Sequence, residues 1–274
     1  MIRARLALAA LLLVPSAGDA ATLKPAALQA WDRYVAWADA KVQRELSDPE
    51  RFLWQEYLPP REKAEIAEHL AAGRVAVRKM AGVVPAGVKF EVPEGSIHHW
   101  WGSILLPGVG LEEVLRFCKD YDHHAGRFLE VQQSRLLSKS GETYRFFFRL
   151  RRTKAPITVY YNTEQECTYR SYGPKLAASR SVALRIAELE NPGTAREREK
   201  PNTDDGGYLW RVVTWWRFKE TPRGVVLEYE AASLGRNVPG FLRFIPGAIG
   251  YLESVPRESI ENTLTSIRKH VARS

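Results

Sequence analysis

Apolar and polar residues alternate through most of the second half of the chain, and recur at helical spacing near both ends. In "YRFFFRLRR", Tyr144, Phe146, Phe148 and Leu150 fall on one face, with Arg145, Phe147, Arg149 and Arg151 on the other. An antiparallel strand packed on one side and wet on the other has this pattern. "ITVYYNTEQECTYRSYG" continues it, setting Ile157, Val159 and Tyr161 against Thr158 and Tyr160, and "SRSVALRIAEL" is strand-like around Val182, Leu184 and Ile186. "YLWRVVTWWRFKE" sets Trp210, Val212, Thr214, Trp216 and Phe218 against Arg211, Val213, Trp215 and Arg217. "GVVLEYEAASL" places Leu227, Tyr229 and Ala231 opposite Glu228 and Glu230. Earlier in the chain, "SIHHWWGSILLPG" predicts a strand that stops at Pro107-Gly108. "ENPGTAREREKPNTDDGG" has no period and reads as a mobile loop. The basic positions Arg145, Arg149, Arg151, Arg211 and Arg217 read as a solvated outer sheet face.

The helical spacings frame these strands. Leu28, Trp31, Tyr34, Val35 and Val42 share a face over residues 27–46, and a second helix is predicted from Pro60 to Met80. "GVVPAGVKFEVPEG" follows as a linker. Leu111, Val114, Leu115 and Cys118 define a helix that Asp122-His123-His124 breaks, with a short helical turn after it. At the C-terminus, Ile260, Leu264, Ile267 and Val271 form a single apolar stripe. Pro256 suits the first turn of that last helix, and Lys269 and His270 suit its end. Before it runs the most apolar stretch outside the N-terminus, Val238 to Leu252, punctuated by Pro239, Gly240, Pro246 and Gly247.

Composition narrows the class. With 45% hydrophobic and 26% charged residues, the 274-residue chain has the make-up of a globular protein. Residues 1–20, with Arg3 and Arg5, an apolar core from Leu6 to Val14 and small residues up to Ala20, have the layout of a cleavable secretory signal. That core is too short to span a bilayer. The net charge of +8 favours acidic partners, and for an exported chain an anionic membrane surface is a better match than nucleic acid. Cys118 and Cys167 fall in a predicted helix and a predicted strand, and their spacing leaves pairing open. His98 and His99, adjacent on a strand, point to opposite faces and cannot share an ion. No sharp metal-ligand spacing accompanies them or His123-His124, so no metal and no cofactor is expected, and capping or a polar rim is the plainer role. The sequence has no nucleophile elbow, P-loop or dinucleotide-binding glycine pattern.

The order strand, helix, helix, antiparallel meander and long helix resembles the START-like (polyketide cyclase, Bet v 1-like, SRPBCC) superfamily. "PGVGLEEVLRFCKDYDHHAGRF" looks like its opening helix pair and "VPRESIENTLTSIRKHV" like its C-terminal gripping helix. The resemblance implies an α+β helix-grip fold over residues 91–274, a curved antiparallel sheet around the C-terminal helix, with residues 21–90 as an N-terminal helical extension and linker. It further implies a cavity between sheet and helix for a hydrophobic or lipid-like ligand. On the faces defined above, the candidate lining is Tyr144, Phe146, Phe148, Trp210, Thr214, Trp216 and Tyr229 from the strands, and Ile260, Leu264 and Ile267 from the helix. Phe241 and Phe244 are candidates for the cavity mouth. The reading that follows is an exported soluble binding or carrier protein. Its alternatives are an enzyme, a cyclase or hydrolase recruiting Arg185, Glu188 and Tyr229, or a filled-core module that docks through residues 238–252.

Overall fold

A computed structural model describes residues 23–48, 50–80, 90–154, 157–201, 204–237 and 248–272, with side chains of the last helix from Ser254 onward. The elements are α1 (Pro25–Leu46), α2 (Pro60–Ala71), β1 (Ala76–Lys79), β2 (Gly95–Pro107), α3 (Leu111–Lys119), β3 (Val131–Ser140), β4 (Thr143–Lys154), β5 (Ile157–Ser171), β6 (Leu176–Glu190), β7 (Arg198–Glu199), β8 (Arg211–Thr221), β9 (Gly224–Arg236) and α4 (Ala248–Val271). Short 3₁₀ turns occupy Trp54–Tyr57 and Tyr121–His123.

Eight strands pair antiparallel in the order β1-β2-β9-β8-β6-β5-β4-β3, and β7 adds to β6. The sheet is curved, and α4 lies across its concave side against β2 and β1. This is the α+β helix-grip arrangement that the resemblance implied. Gly102 of β2 makes the close crossing possible, since a methyl at that position would overlap Ile260 and Leu264 of α4. The concave side holds one core, which includes Ile104, Leu106, Phe146, Phe218, Leu227, Ile260, Leu264 and Ile267.

The convex side is also covered. The stripe Trp31, Tyr34, Ala38 and Val42 of α1 packs with Trp210, Val213, Trp215, Ala232 and Leu234. The expectation of a solvated outer face therefore fails at Arg217, which is only 2% exposed. Glu228 and Glu230 on the same face are buried too. Alternation identifies two faces correctly but cannot say that a helix remote in sequence covers the polar one.

Three local expectations are corrected. The helix predicted over Pro60–Met80 ends at Ala71, and Ala76–Lys79 instead extends the sheet by pairing with β2. Helix α4 starts at Ala248, so Pro256 lies inside it rather than at its first turn. In the segment read as a mobile loop, β7 pairs with β6. Ion pairs of Glu197 with Arg149, Glu199 with Arg185 and Lys200 with Glu188 tie it down further. Strand β3, an exposed edge with weak alternation, has no counterpart in the sequence reading.

Candidate ligand cavity

The concave side is not filled. Between the sheet, α4 and the segment after α3 lies a cavity of about 190 Å³. Phe146, Phe148 and Leu150 of β4, Gln165, Cys167 and Tyr169 of β5, and Ser181 of β6 line one wall. Val212, Thr214 and Trp216 of β8, Tyr229 and Ala231 of β9, and Trp100 of β2 line the other. Ser259, Ile260, Thr263 and Ile267 of α4 close it. The aromatics support one another. Tyr121 stacks on Phe146 with centroids 4.0 Å apart, and Trp216 stacks on Tyr229 at 4.1 Å.

One end is charged. Arg152 Nε donates to Glu130 at 3.1 Å, its Nη2 donates to Ser259 Oγ at 2.7 Å, and that hydroxyl donates to Glu130 at 3.0 Å. The three groups come from β4, the loop before β3, and α4, so the triad ties the helix to the sheet. Burial disfavours the charged guanidinium, but Glu130, paired with it and hydrogen-bonded to it, outweighs that and raises Arg152 above the usual arginine value. Near the other wall, burial lowers His124 to about 4, and its Nε2 lies 3.1 Å from the Phe117 carbonyl. His124 is therefore neutral at pH 7. Tyr229 is raised above the usual phenol range by burial.

Of the residues expected to line a cavity, Phe146, Phe148, Thr214, Trp216, Tyr229, Ile260 and Ile267 do so. Tyr144 sits beyond the cavity, in an open groove with Lys119 and Lys139. Leu264 is fully buried against β2 at Gly102. Trp210 lies on the opposite side of the sheet, packed with the α1 cluster. It precedes the first residue of β8, so the strand period does not extend back to it. Phe241, Phe244 and residues 238–247 as a whole lie outside the described residues.

The catalytic grouping Arg185, Glu188 and Tyr229 is not assembled. Arg185 pairs with Glu199, and Glu188 accepts from Lys200 and the Gly206 N–H, while Tyr229 faces the cavity. Cys118 and Cys167 are both free and buried at the cavity wall, and burial pushes Cys118 up to about 12. Among the described residues no three His, Cys, Asp or Glu side chains gather as a metal site. His99 is neither a cap nor a rim residue. It is buried behind the sheet, with Nδ1 2.6 Å from the Tyr34 hydroxyl and Nε2 2.9 Å from Glu230.

Several lining residues escaped the sequence reading. Arg152 is the next member of the Tyr144–Leu150 alternation, and Cys167 continues the phase of Tyr161, so both were reachable by extending a period. Glu130 and His124 lie in irregular backbone and Tyr121 in a single 3₁₀ turn, where no period points to them.

No protein-family model matches this sequence, and no curated protein matches it either. Among solved structures, the chain is similar to a STAR-related lipid transfer protein from Xanthomonas axonopodis, at 18% identity over 67% of this chain and 96% of that one, TM-score 0.44. It is similar to human STARD10 at 12% identity over 77% and 79% of the two chains, TM-score 0.44. It is also similar to the Zhui aromatase/cyclase from a Streptomyces species at 11% identity over 64% and 94%, TM-score 0.41. These likenesses are distant, and the helix-grip assignment stands on the strand order and the position of α4.

Proposed function

We propose that the protein binds, and carries, a hydrophobic or amphipathic small molecule between the sheet and α4. The observation that carries this reading is the unfilled aromatic cavity with a single charged end at Arg152. Natural cores are packed to near-crystalline density, so an apolar void of this size is destabilising unless something occupies it. Its roughly 190 Å³ exceeds the ~150 Å³ apolar cavity that accommodates benzene and falls short of the ~300–1,000 Å³ of drug-sized sites. A compact body of about two rings, or the inner part of a longer molecule, matches that volume. Arg152 would meet a polar end group, and Leu129, 68% exposed beside the cavity, marks the side from which a longer ligand would emerge.

The leader-like residues 1–20 support export of the chain, and the net charge of +8 supports peripheral contact with anionic membrane. No helix among the described residues is long and apolar enough to cross a membrane. The direct test is to purify the protein gently from its native host, extract it with organic solvent and analyse the extract by mass spectrometry. A stoichiometric apolar or amphipathic species is expected. An empty extract, together with failure of the emptied protein to take up an apolar fluorescent probe, would overturn the reading. The mass of the purified chain checks in the same experiment whether the leader-like residues 1–20 are removed.

A further inference from the structure

The strand register lays a row of side chains straight across the middle of the cavity wall. Trp100 of β2 is paired with Ala231 of β9, which is paired with Thr214 of β8, which is paired with Ser181 of β6. All four line the cavity. Directly paired residues on one face of a sheet have Cβ atoms within about 5.5 Å, so Thr214 and Ser181 present neighbouring hydroxyls. Between Thr214 and Trp100 the row carries only the methyl group of Ala231.

Among the described residues, two polar atoms of this row are buried without a partner, the Ser181 hydroxyl and the Trp100 indole N–H. Ser181 is only 5% exposed, so bulk water does not satisfy it. A buried donor with no acceptor is more costly than no donor at all, and each such group calls for an explanation. Size does not supply one, because the same strand uses alanine at Ala177, Ala178, Ala183 and Ala187. The charged end does not supply one either. Arg152 spends its Nε and Nη2 on Glu130 and Ser259, and those groups come from other elements.

We infer that the ligand carries a hydrogen-bond-accepting oxygen, such as a ketone carbonyl or an ether, on an otherwise apolar body, and that Ser181, with Thr214 paired beside it, recognises that oxygen. This rests on the cavity-binding reading above and narrows it. A pure hydrocarbon would leave the Ser181 hydroxyl without an acceptor, whereas an oxygen held beside Ser181 and Thr214 satisfies it. The Ser181–Thr214 pair is then the specificity determinant, and the aromatics provide the affinity.

The experiment uses two probes with the same bicyclic frame, indane and 1-indanone, titrated calorimetrically into the full-length mature protein and its Ser181→Ala and Trp100→Phe variants. Infrared spectra of bound 1-indanone report the carbonyl stretch. The expected result is that Ser181→Ala weakens 1-indanone by about 3- to 10-fold and leaves indane within about 2-fold. The carbonyl band should be red-shifted in the wild-type complex and return toward its free position in Ser181→Ala. Trp100→Phe, three strands from Ser181, is the control and should change the two probes alike. If Ser181→Ala binds the two probes as the wild type does, or loses both equally, Ser181 does not recognise oxygen and the inference is overturned while the cavity reading stands. If the wild type binds neither probe, both fall together.

Discussion

At the scale of single residues, the chain places opposite electrostatic demands on Glu228 and Glu230, which lie two apart on β9 and face the same way. Glu228 accepts from the Trp54 and Gln55 N–H groups at 2.7 and 3.0 Å, yet burial raises it to about 7. Glu230 is buried as well, but Lys41, His99 and Arg217 hold it well below the usual carboxylate range. For Glu228 the folded chain binds a proton more tightly than the unfolded one. Its contribution is complete below about pH 4.5 and is lost as pH rises through 7. Glu228→Gln removes that loss, so its unfolding free energy relative to wild type should rise between pH 5 and 8, by on the order of 2 kcal/mol. Urea titrations at several pH values measure this difference, and a flat one would mean that Glu228 is ionised throughout. Gly102 is the other residue on which much depends. Gly102→Ala should destabilise by roughly 1–3 kcal/mol, because Ile260 and Leu264 must retreat and α4 with them. Thermal denaturation checks this, and an unchanged midpoint would show that α4 crosses β2 less closely.

At the scale of elements, α1 is held to the convex face by apolar packing and by a buried charge cluster. Arg217 Nη2 lies 2.5 Å from Glu45 and 3.6 Å from Glu230, its Nη1 lies 3.5 Å from Glu228, and Lys41 lies 3.2 Å from Glu230. Three carboxyl groups thus surround Arg217 and Lys41. Arg217→Met should therefore cost roughly 3–5 kcal/mol, the usual consequence of leaving buried carboxylates uncompensated. Chemical denaturation measures the loss, and hydrogen exchange should locate it first in α1 and β8. Arg180 and the Trp215 indole both bind Asp39, which fixes the rotation of α1 on the sheet. Element identities were largely legible in the sequence where a period of two ran for six residues or more, as in β4, β8 and β9. They were illegible where burial comes from distant partners. Arg217, Glu228 and Glu230 look like surface residues in any local window, and only the docking of α1 buries them. Edge strand β3 was missed for the opposite reason. It is exposed on most positions and carries register irregularities after Val131 and Leu136, so its alternation is diluted. Such irregularities also discourage edge-to-edge pairing with another molecule.

At the scale of the whole molecule, the sheet has both faces covered by helices, one tightly and one with room to spare. The convex side, under α1, is dense and ionic, while the concave side, under α4, keeps about 190 Å³ unfilled. The candidate site was legible to the extent that it follows strand phase and the α4 stripe, which gave Phe146, Phe148, Thr214, Trp216, Tyr229, Ile260 and Ile267. The charged end was not, because Glu130 and Ser259 meet Arg152 only through the closure of α4. Cavity occupancy is the central claim, and one substitution at the centre of the wall tests it most directly. Ala231→Phe would place a ring in the space beside Trp100, Thr214 and Trp216. Titrating an apolar fluorescent probe into the wild type and this variant, both checked for folding by circular dichroism, should give one saturable site in the wild type and none in the folded variant. Equal binding by the two folded proteins, or no binding by the wild type, would contradict the account.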